Sequence, residues 1–350
     1  MAGPEPFFFR QGSAEDEARV SAMLQSALGI DDPDCALEEE DTQAFIVIQN
    51  ETILYERYFN GTERDSIVTS FSMAKSFASA LMGIALAEGY IESVDDPVTK
   101  YLPELAARDP RFSNITLRHL LMMSSGLQFT SEDYPIFVDD IFSDSSLAYY
   151  YPDLRELAMN KTQVIEPPGR HFPYNNYNLQ LIGMVLERAT GQNVFDGSWS
   201  LDSRESGFEL MQAGINSRAV DFAKFGRLYL NNGSWNGKQV IPEDWAAKST
   251  QEDRSIDRAN YYLYDPNYEY YRIFKNNGYH GYYWWGQLKD DGKYDFYASG
   301  YLTQRIYISP QADLIIVRNG ERNLPKNWEA ALIPFISAME KRGKNMQAQG

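Results

Sequence analysis

The sequence predicts an α/β protein of the α+β type, an antiparallel sheet flanked by helices with a mostly helical lobe inserted in the middle of the chain. Three observations carry that expectation. Apolar, β-branched runs stand near both ends, helical patterns broken by Pro and Gly lie between them, and 350 residues exceed the size at which one hydrophobic core usually stops growing. The division this implies places 1–92 and 207–350 in a lobe built on the sheet and 93–206 in the inserted helical lobe. The active site would lie between the two.

The elements follow in order. Residues 1–42 are acidic and mixed, with a helical pattern from Ala14 to Leu28 and an acidic segment, Asp31 to Cys35, that reads as a loop. The runs 43–50 and 52–59 surround a short polar turn and read as a β-hairpin. From 71 to 87 apolar residues occur on every side until Gly89, the pattern of a buried central helix rather than a surface one. Shorter helical segments follow at 116–123, 154–159 and 177–189. An amphipathic helix at Ala219–Leu230 is closed by Asn231-Asn232-Gly233. After a tyrosine-rich stretch at 261–285 come strand-like runs at 294–298, 304–308 and 314–318, then a final helix at 328–341.

Composition narrows the function classes. Apolar residues make up 43% of the chain and charged residues 23%, both close to the globular average. The 49 acidic residues outweigh 32 basic ones, a net charge of −17 that disfavours nucleic acid and anionic lipid as partners. The first twenty residues carry neither a basic segment nor a long apolar stretch, so neither a signal peptide nor a membrane span is expected, and the compartment, cytoplasmic or periplasmic, stays open. Cys35 is the only cysteine, which excludes an intrachain disulfide and a cysteine-based metal site. Nothing around it favours a reactive thiolate. His119, His171 and His280 are the only histidines; no Gly-x-Ser-x-Gly elbow and no His-Glu-x-x-His pair accompanies them. No metal or organic cofactor is expected.

The chemistry begins at Ser72-Met73-Ala74-Lys75, the only Ser-x-x-Lys in the chain, at the start of its most apolar helical run. Residues three apart share a helix face, so the Lys75 amine can reach the Ser72 hydroxyl. A serine hydroxyl needs a neighbouring base to become nucleophilic, and burial lowers a lysine's pKa enough for it to serve. A helix N-terminus also presents free N–H groups to an oxyanion. A second element, Tyr174-Asn175-Asn176, lies between Pro167-Pro168-Gly169 and the helix at 177–189. Tyr58-Phe59-Asn60 and Tyr229-Leu230-Asn231 share its spacing, but only Tyr174 lies in a Pro/Gly-bounded turn that could project a phenol and an amide into a cleft. The third is Ala298-Ser299-Gly300-Tyr301, where small residues at a strand's end let a substrate lie against the backbone. The Tyr301 N–H could then share an oxyanion with that of Ser72. The aromatic stretch reads as an aromatic-rich sheet and loop packed on the core, or as the place where Tyr279, Tyr283 or Trp284 lines an apolar acyl pocket.

The order Ser-x-x-Lys, Tyr-x-Asn, x-x-Gly resembles the serine β-lactamase and penicillin-binding protein superfamily. Further segments agree: Ile115 to Leu121 with Ser124-Ser125-Gly126-Leu127, Glu166-Pro167-Pro168-Gly169 with Phe172 to Asn176, and Asp221 to Leu230 with Gly233 and Trp235-Asn236-Gly237. The resemblance runs from about Gln43 to Phe335 and is greatest to the class C and esterase side, 6-aminohexanoate-dimer hydrolases and related carboxylesterases. It implies the β-lactamase/D,D-peptidase fold and a set of roles. Ser72 attacks, Lys75 and Tyr174 move its proton, Asn176 holds the Lys75 amine and the acyl side, and water releases the acyl group with Tyr174 as base. The chain departs from the pattern at Ala298, where β-lactamases and peptidoglycan peptidases usually carry a Lys or His that binds a carboxylate. Arg305 is the nearby candidate replacement. Esters and uncharged small amides therefore fit better than β-lactams or D-alanyl peptides. A second departure is the short segment 191–199. The alternatives are a β-lactamase or D,D-peptidase and, from another class, a non-catalytic sensor on the same fold; the intact polar set argues against the sensor. Oligomeric state is not readable.

Overall fold

The computed structural model describes residues 6–129, 143–193, 198–262, 277–324 and 326–347, with the side chains of 326–331 and 344–347 left aside. Its centre is an eight-stranded sheet. The strands are β1 (Arg10–Gln11), β2 (Thr42–Gln49), β3 (Thr52–Tyr58), β4 (Gly278–His280), β5 (Trp285–Leu288), β6 (Tyr294–Gly300), β7 (Gln304–Ser309) and β8 (Leu314–Gly320). They lie in the order β1-β3-β2-β8-β7-β6-β5-β4. Every neighbouring pair is antiparallel except the two-residue β1, which runs parallel to β3. The N-terminal hairpin thus sits beside the C-terminal strands, with β2 against β8 in the middle.

Alternation on these strands separates two cores. Ile46 and Ile48 of β2, Ala298 of β6, Ile306 and Ile308 of β7 and Val317 of β8 face a large core shared with the central helices. Phe45, Val47, Leu54, Tyr55, Leu314 and Ile316 face a smaller one, closed by α1 (Ala14–Leu28), α2 (Pro33–Glu39) and the C-terminal helix Lys326–Gln347. The central helix α3 (Ala74–Ala87) is buried on most of its circumference, as an all-round apolar run requires. It packs on the helix Tyr177–Thr190, while Ala219–Leu230 packs on β7 and β8. Between 103 and 190 the described elements are helical.

One local expectation changes. Asp31 to Cys35 is no loop: Asp32 caps α2, its carboxylate accepting from the N–H of Asp34 and Cys35, and Pro33 takes the first helical position where no N–H is needed. The tyrosine-rich stretch, read as sheet and loop, holds β4 and leads into β5; its residues 263–276 lie outside the described part, as does 194–197 of the short 191–199 segment. None of the described helices is long and apolar enough to cross a membrane.

Candidate active site

The turn that carries Ser72 is held from several sides. Phe71–Met73 forms a short 3-10 turn leading into α3, so Ser72 sits just before the α-helix proper. Phe71 has φ of 42°, in the left-handed region that a side chain disfavours. The segment 212–217 holds this conformation. Ser70 N donates to Ile215 O at 2.8 Å, Ser70 Oγ bonds Ala213 O at 3.3 Å, and Val68–Thr69 pairs with Asn216–Ser217.

One turn on, Lys75 is 2% exposed. Its Nζ donates to Ser72 Oγ at 2.9 Å and to Gln212 O at 3.0 Å, and lies 4.9 Å from the centroid of the Tyr174 ring. Burial with no carboxylate against it pushes the amine's pKa well below the ordinary lysine value. A neutral amine in contact with a serine hydroxyl is a base ready to accept its proton.

The other expected residues take different positions. Tyr174 stacks on Trp285, the ring centroids 5.9 Å apart, so the phenol is braced from β5. Asn176 is buried at the start of the helix Tyr177–Thr190, but its Oδ1 finds no partner among the described residues. The backbone carbonyl of Gln212, not the Asn176 amide, accepts the second hydrogen bond from the Lys75 amine. A carbonyl fixed by the 212–217 segment reaches the amine without any side chain having to be ordered.

Ser299, Gly300 and Tyr301 close the site from the sheet. Pairing of β6 with β5 ends at Tyr297–Trp285, so the backbone from Ala298 onward has no partner strand on that edge among the described residues. Gly300 is required here, because a Cβ would stand 2.4 Å from Ser70 O. Tyr301 meets Phe71 edge to face at 5.7 Å. These contacts bring the strand's end against the Ser72 turn. Arg305 donates to Ser299 Oγ at 2.7 Å, while Ala298 is fully buried and brings no cation. Tyr283 departs from its expected role: at 2% exposed it offers a substrate no surface, and it is tied instead through its carbonyl to Ser76 Oγ at 2.8 Å. Trp284 and Phe296 fill the same interior, the reason the aromatic run reads as core.

Three groups were not singled out from sequence. Tyr149, on the helix Asp144–Tyr150, stands beside Ser72, and burial pushes its pKa up to about 12. Gln212, through its side-chain amide, bonds the carbonyl of Ala148 and so ties the Tyr149 helix to the segment that holds Lys75. His280, 1% exposed, is pushed down to about 3 by burial; its Nδ1 has no partner among the described residues. It packs against Phe172 and Trp285 behind the site. His119 serves its own helix, its Nδ1 accepting from Thr116 N at 3.1 Å, and His171 faces Glu166 at 2.7 Å. Among the described residues no cluster of His, Cys, Asp and Glu could hold a metal ion.

Residues 36–196 match the family model described as Beta-lactamase. Over 330 residues the chain is 24% identical to the 6-aminohexanoate-dimer hydrolase of Paenarthrobacter ureafaciens, an alignment covering 87% of this chain and 78% of that protein. A solved Bacillus anthracis protein, provisionally named a 6-aminohexanoate-dimer hydrolase, superposes with a TM-score of 0.72 at 21% identity, covering 97% of this chain and 88% of that one. A class C β-lactamase superposes with a TM-score of 0.63 at 14% identity, covering 93% and 100%. The two superpositions establish the shared fold.

Proposed function

We propose, for a chain that belongs to the serine β-lactamase and penicillin-binding protein superfamily, a serine hydrolase that forms an acyl-enzyme on Ser72 and cleaves carboxylic esters or small amides. The observation that carries this reading is the 2.9 Å bond between the buried Lys75 amine and Ser72 Oγ. Lys75, its pKa held well below the ordinary lysine value by burial, takes the Ser72 proton as Oγ adds to the substrate carbonyl. The N–H groups of Ser72 and Tyr301 stabilise the oxyanion. Collapse of the tetrahedral species expels the alcohol or amine, which takes its proton from Lys75 by way of Tyr174. Water then adds to the acyl carbonyl with Tyr174 as base, relaying its proton to Lys75, and collapse returns that proton to Ser72 Oγ as the acid leaves. Asn176 and the free edge at Ser299 and Gly300 hold the acyl side.

The substrate preference rests on Ala298, which places no cation where a β-lactam carboxylate would need one. A chromogenic cephalosporin should therefore turn over far more slowly than an ester, and equal turnover would point to Arg305, held at Ser299 Oγ, as the carboxylate's partner. The first test is hydrolysis of p-nitrophenyl butyrate by the wild-type protein and by Ser72→Ala. Turnover that vanishes in the variant supports the reading. No turnover by either protein sinks the esterase reading and leaves β-lactam hydrolysis or a non-catalytic sensor.

A further inference from the structure

The strand end that meets Ser72 runs into an unusual turn. After Tyr301, Leu302 has φ of 60° and Thr303 has φ of 56°. The left-handed region is costly for any side chain and more so for a β-branched threonine. Two such residues in succession persist only where surrounding contacts over-determine them.

Arg318 of β8 supplies those contacts. It is 2% exposed, and its guanidinium donates to five oxygens, none of them a carboxylate. Nη1 reaches Leu302 O at 2.7 Å and Thr303 O at 3.3 Å. Nη2 reaches Glu40 O at 3.1 Å and Arg322 O at 3.2 Å, and Nε reaches Thr42 Oγ1 at 3.2 Å. The turn is also tied down at its end, where Leu324 N donates to Thr303 Oγ1 at 2.9 Å. A buried guanidinium is expensive to desolvate, and a well-packed apolar residue would fill this interior at less cost. The rigid fork of an arginine can hold two consecutive carbonyls that a single ammonium cannot. The strained turn is what that fork grips.

We infer that Arg318 is a positioning residue: its guanidinium holds the left-handed turn at Leu302 and Thr303 and thereby aims the N–H of Tyr301 at the carbonyl carried on Ser72. This rests on the acyl-transfer reading above for its catalytic consequence, though not for the clamp itself. Arg318 touches no substrate; it acts through the turn.

The test compares Arg318→Met and Arg318→Lys, each alone and combined with Leu302→Gly and Thr303→Gly, which remove the penalty for positive φ. Amide hydrogen exchange of the peptide spanning 300–305 reads the clamp directly. Steady-state hydrolysis of p-nitrophenyl butyrate, corrected for the folded fraction, reads its consequence. Arg318→Met is expected to speed exchange there at least tenfold and to lower kcat about 100-fold, the effect of misplacing one oxyanion donor, with KM changed less than about threefold. Arg318→Lys falls between, and the glycine pair restores about tenfold of the lost kcat. Unchanged exchange overturns the clamp, whether or not the wild-type protein hydrolyses the ester. Faster exchange with unchanged kcat overturns the link to the oxyanion. So does a loss of activity that follows only the folded fraction and is not repaired by glycine. If the wild-type protein has no esterase activity, it is the esterase reading that fails, and the exchange measurement still decides the clamp.

Discussion

Two lysines, one on each side of the sheet, are treated in opposite ways. Lys75 enters from α3 on the large-core side and meets only neutral acceptors, a hydroxyl and a carbonyl. Lys289, beyond the end of β5, turns to the side closed by the C-terminal helix, where its Nζ stands 2.8 Å from Asp295 Oδ1 and also contacts Glu340. Burial opposes the charge on both. At Lys289 the bonds to Asp295 and Glu340 outweigh burial and raise the pKa, while at Lys75 nothing offsets it and the pKa falls. The paired lysine fastens the last helix to the sheet. The burial of the other, with no carboxylate against it, is a cost to the fold, and its contact with Ser72 gives such a lysine a use.

The largest effect tests that contrast at Lys75. Replacing it with Met should lower kcat/KM for an ester by about 10³–10⁴, the size of a lost general base. Stability should be unchanged or should rise, because a costly buried polar group is replaced by an apolar one. The sign of the pH dependence follows. Between the depressed folded pKa and about 10.5 the unfolded chain binds the proton that the folded chain does not, so stability rises with pH across that window in the wild type and less so in Lys75→Met. Activity should fall as pH drops through the depressed pKa, since a protonated amine cannot accept the Ser72 proton. Urea unfolding at pH 7 and pH 10, with a pH–rate profile, checks both. A strongly destabilised Lys75→Met would mean that the lysine is a structural element like Lys289.

What sequence could and could not supply divides along the same line of local against distant. The helices Ala14–Leu28 and Ala219–Leu230 were readable to the residue because their signals are local, Ser13 capping the first and Asn231-Asn232-Gly233 closing the second. The Ser72–Lys75 contact was likewise readable, being one turn of chain. The helix Pro33–Glu39 was hidden by acidic residues that look like a loop, although Asp32-Pro33 is itself a helix-start signal. The aromatic stretch read as sheet and loop packed on the core, but β4 and β5 could not be bounded in it, because three and four residues are too few to show alternation. In the site, the Gln212 carbonyl comes from 137 residues beyond Lys75, and Tyr149 comes from a different helix again. No spacing rule reaches across such distances, which is why the amide of Asn176 was expected where a backbone carbonyl stands.

At Lys289 the prediction runs the other way. Lys289→Met leaves Asp295, 2% exposed, without its cation and should destabilise the fold by about 1–3 kcal/mol, the cost of an orphaned buried polar group. Esterase activity per folded molecule should stay within about twofold. The wild-type contribution should be fully present below about pH 10.5 and lost as pH rises through the raised lysine pKa. Chemical unfolding of both proteins at pH 7 measures it, and equal midpoints would show that the pair contributes nothing.

The smallest effect sharpens what surrounds the unpaired lysine. Tyr149 offers Ser72 a second polar neighbour from the helical side, opposite the Lys75 amine in chemical character because its raised pKa keeps it a hydrogen-bond donor. Removing that hydroxyl with Tyr149→Phe should lower kcat about tenfold, equivalent to about 1.4 kcal/mol, the value of one neutral hydrogen bond in a dry site. Stability should change by less than about 0.5 kcal/mol, since the ring remains and only one oxygen is lost. If kcat is unchanged, Tyr149 only packs beside the nucleophile and Lys75 carries the proton chemistry with Tyr174. If kcat instead falls as far as in Lys75→Met, the phenol is a partner in proton transfer of equal weight. The difference between the two lysines would then lie less in the missing carboxylate than in the hydroxyl groups gathered around Lys75.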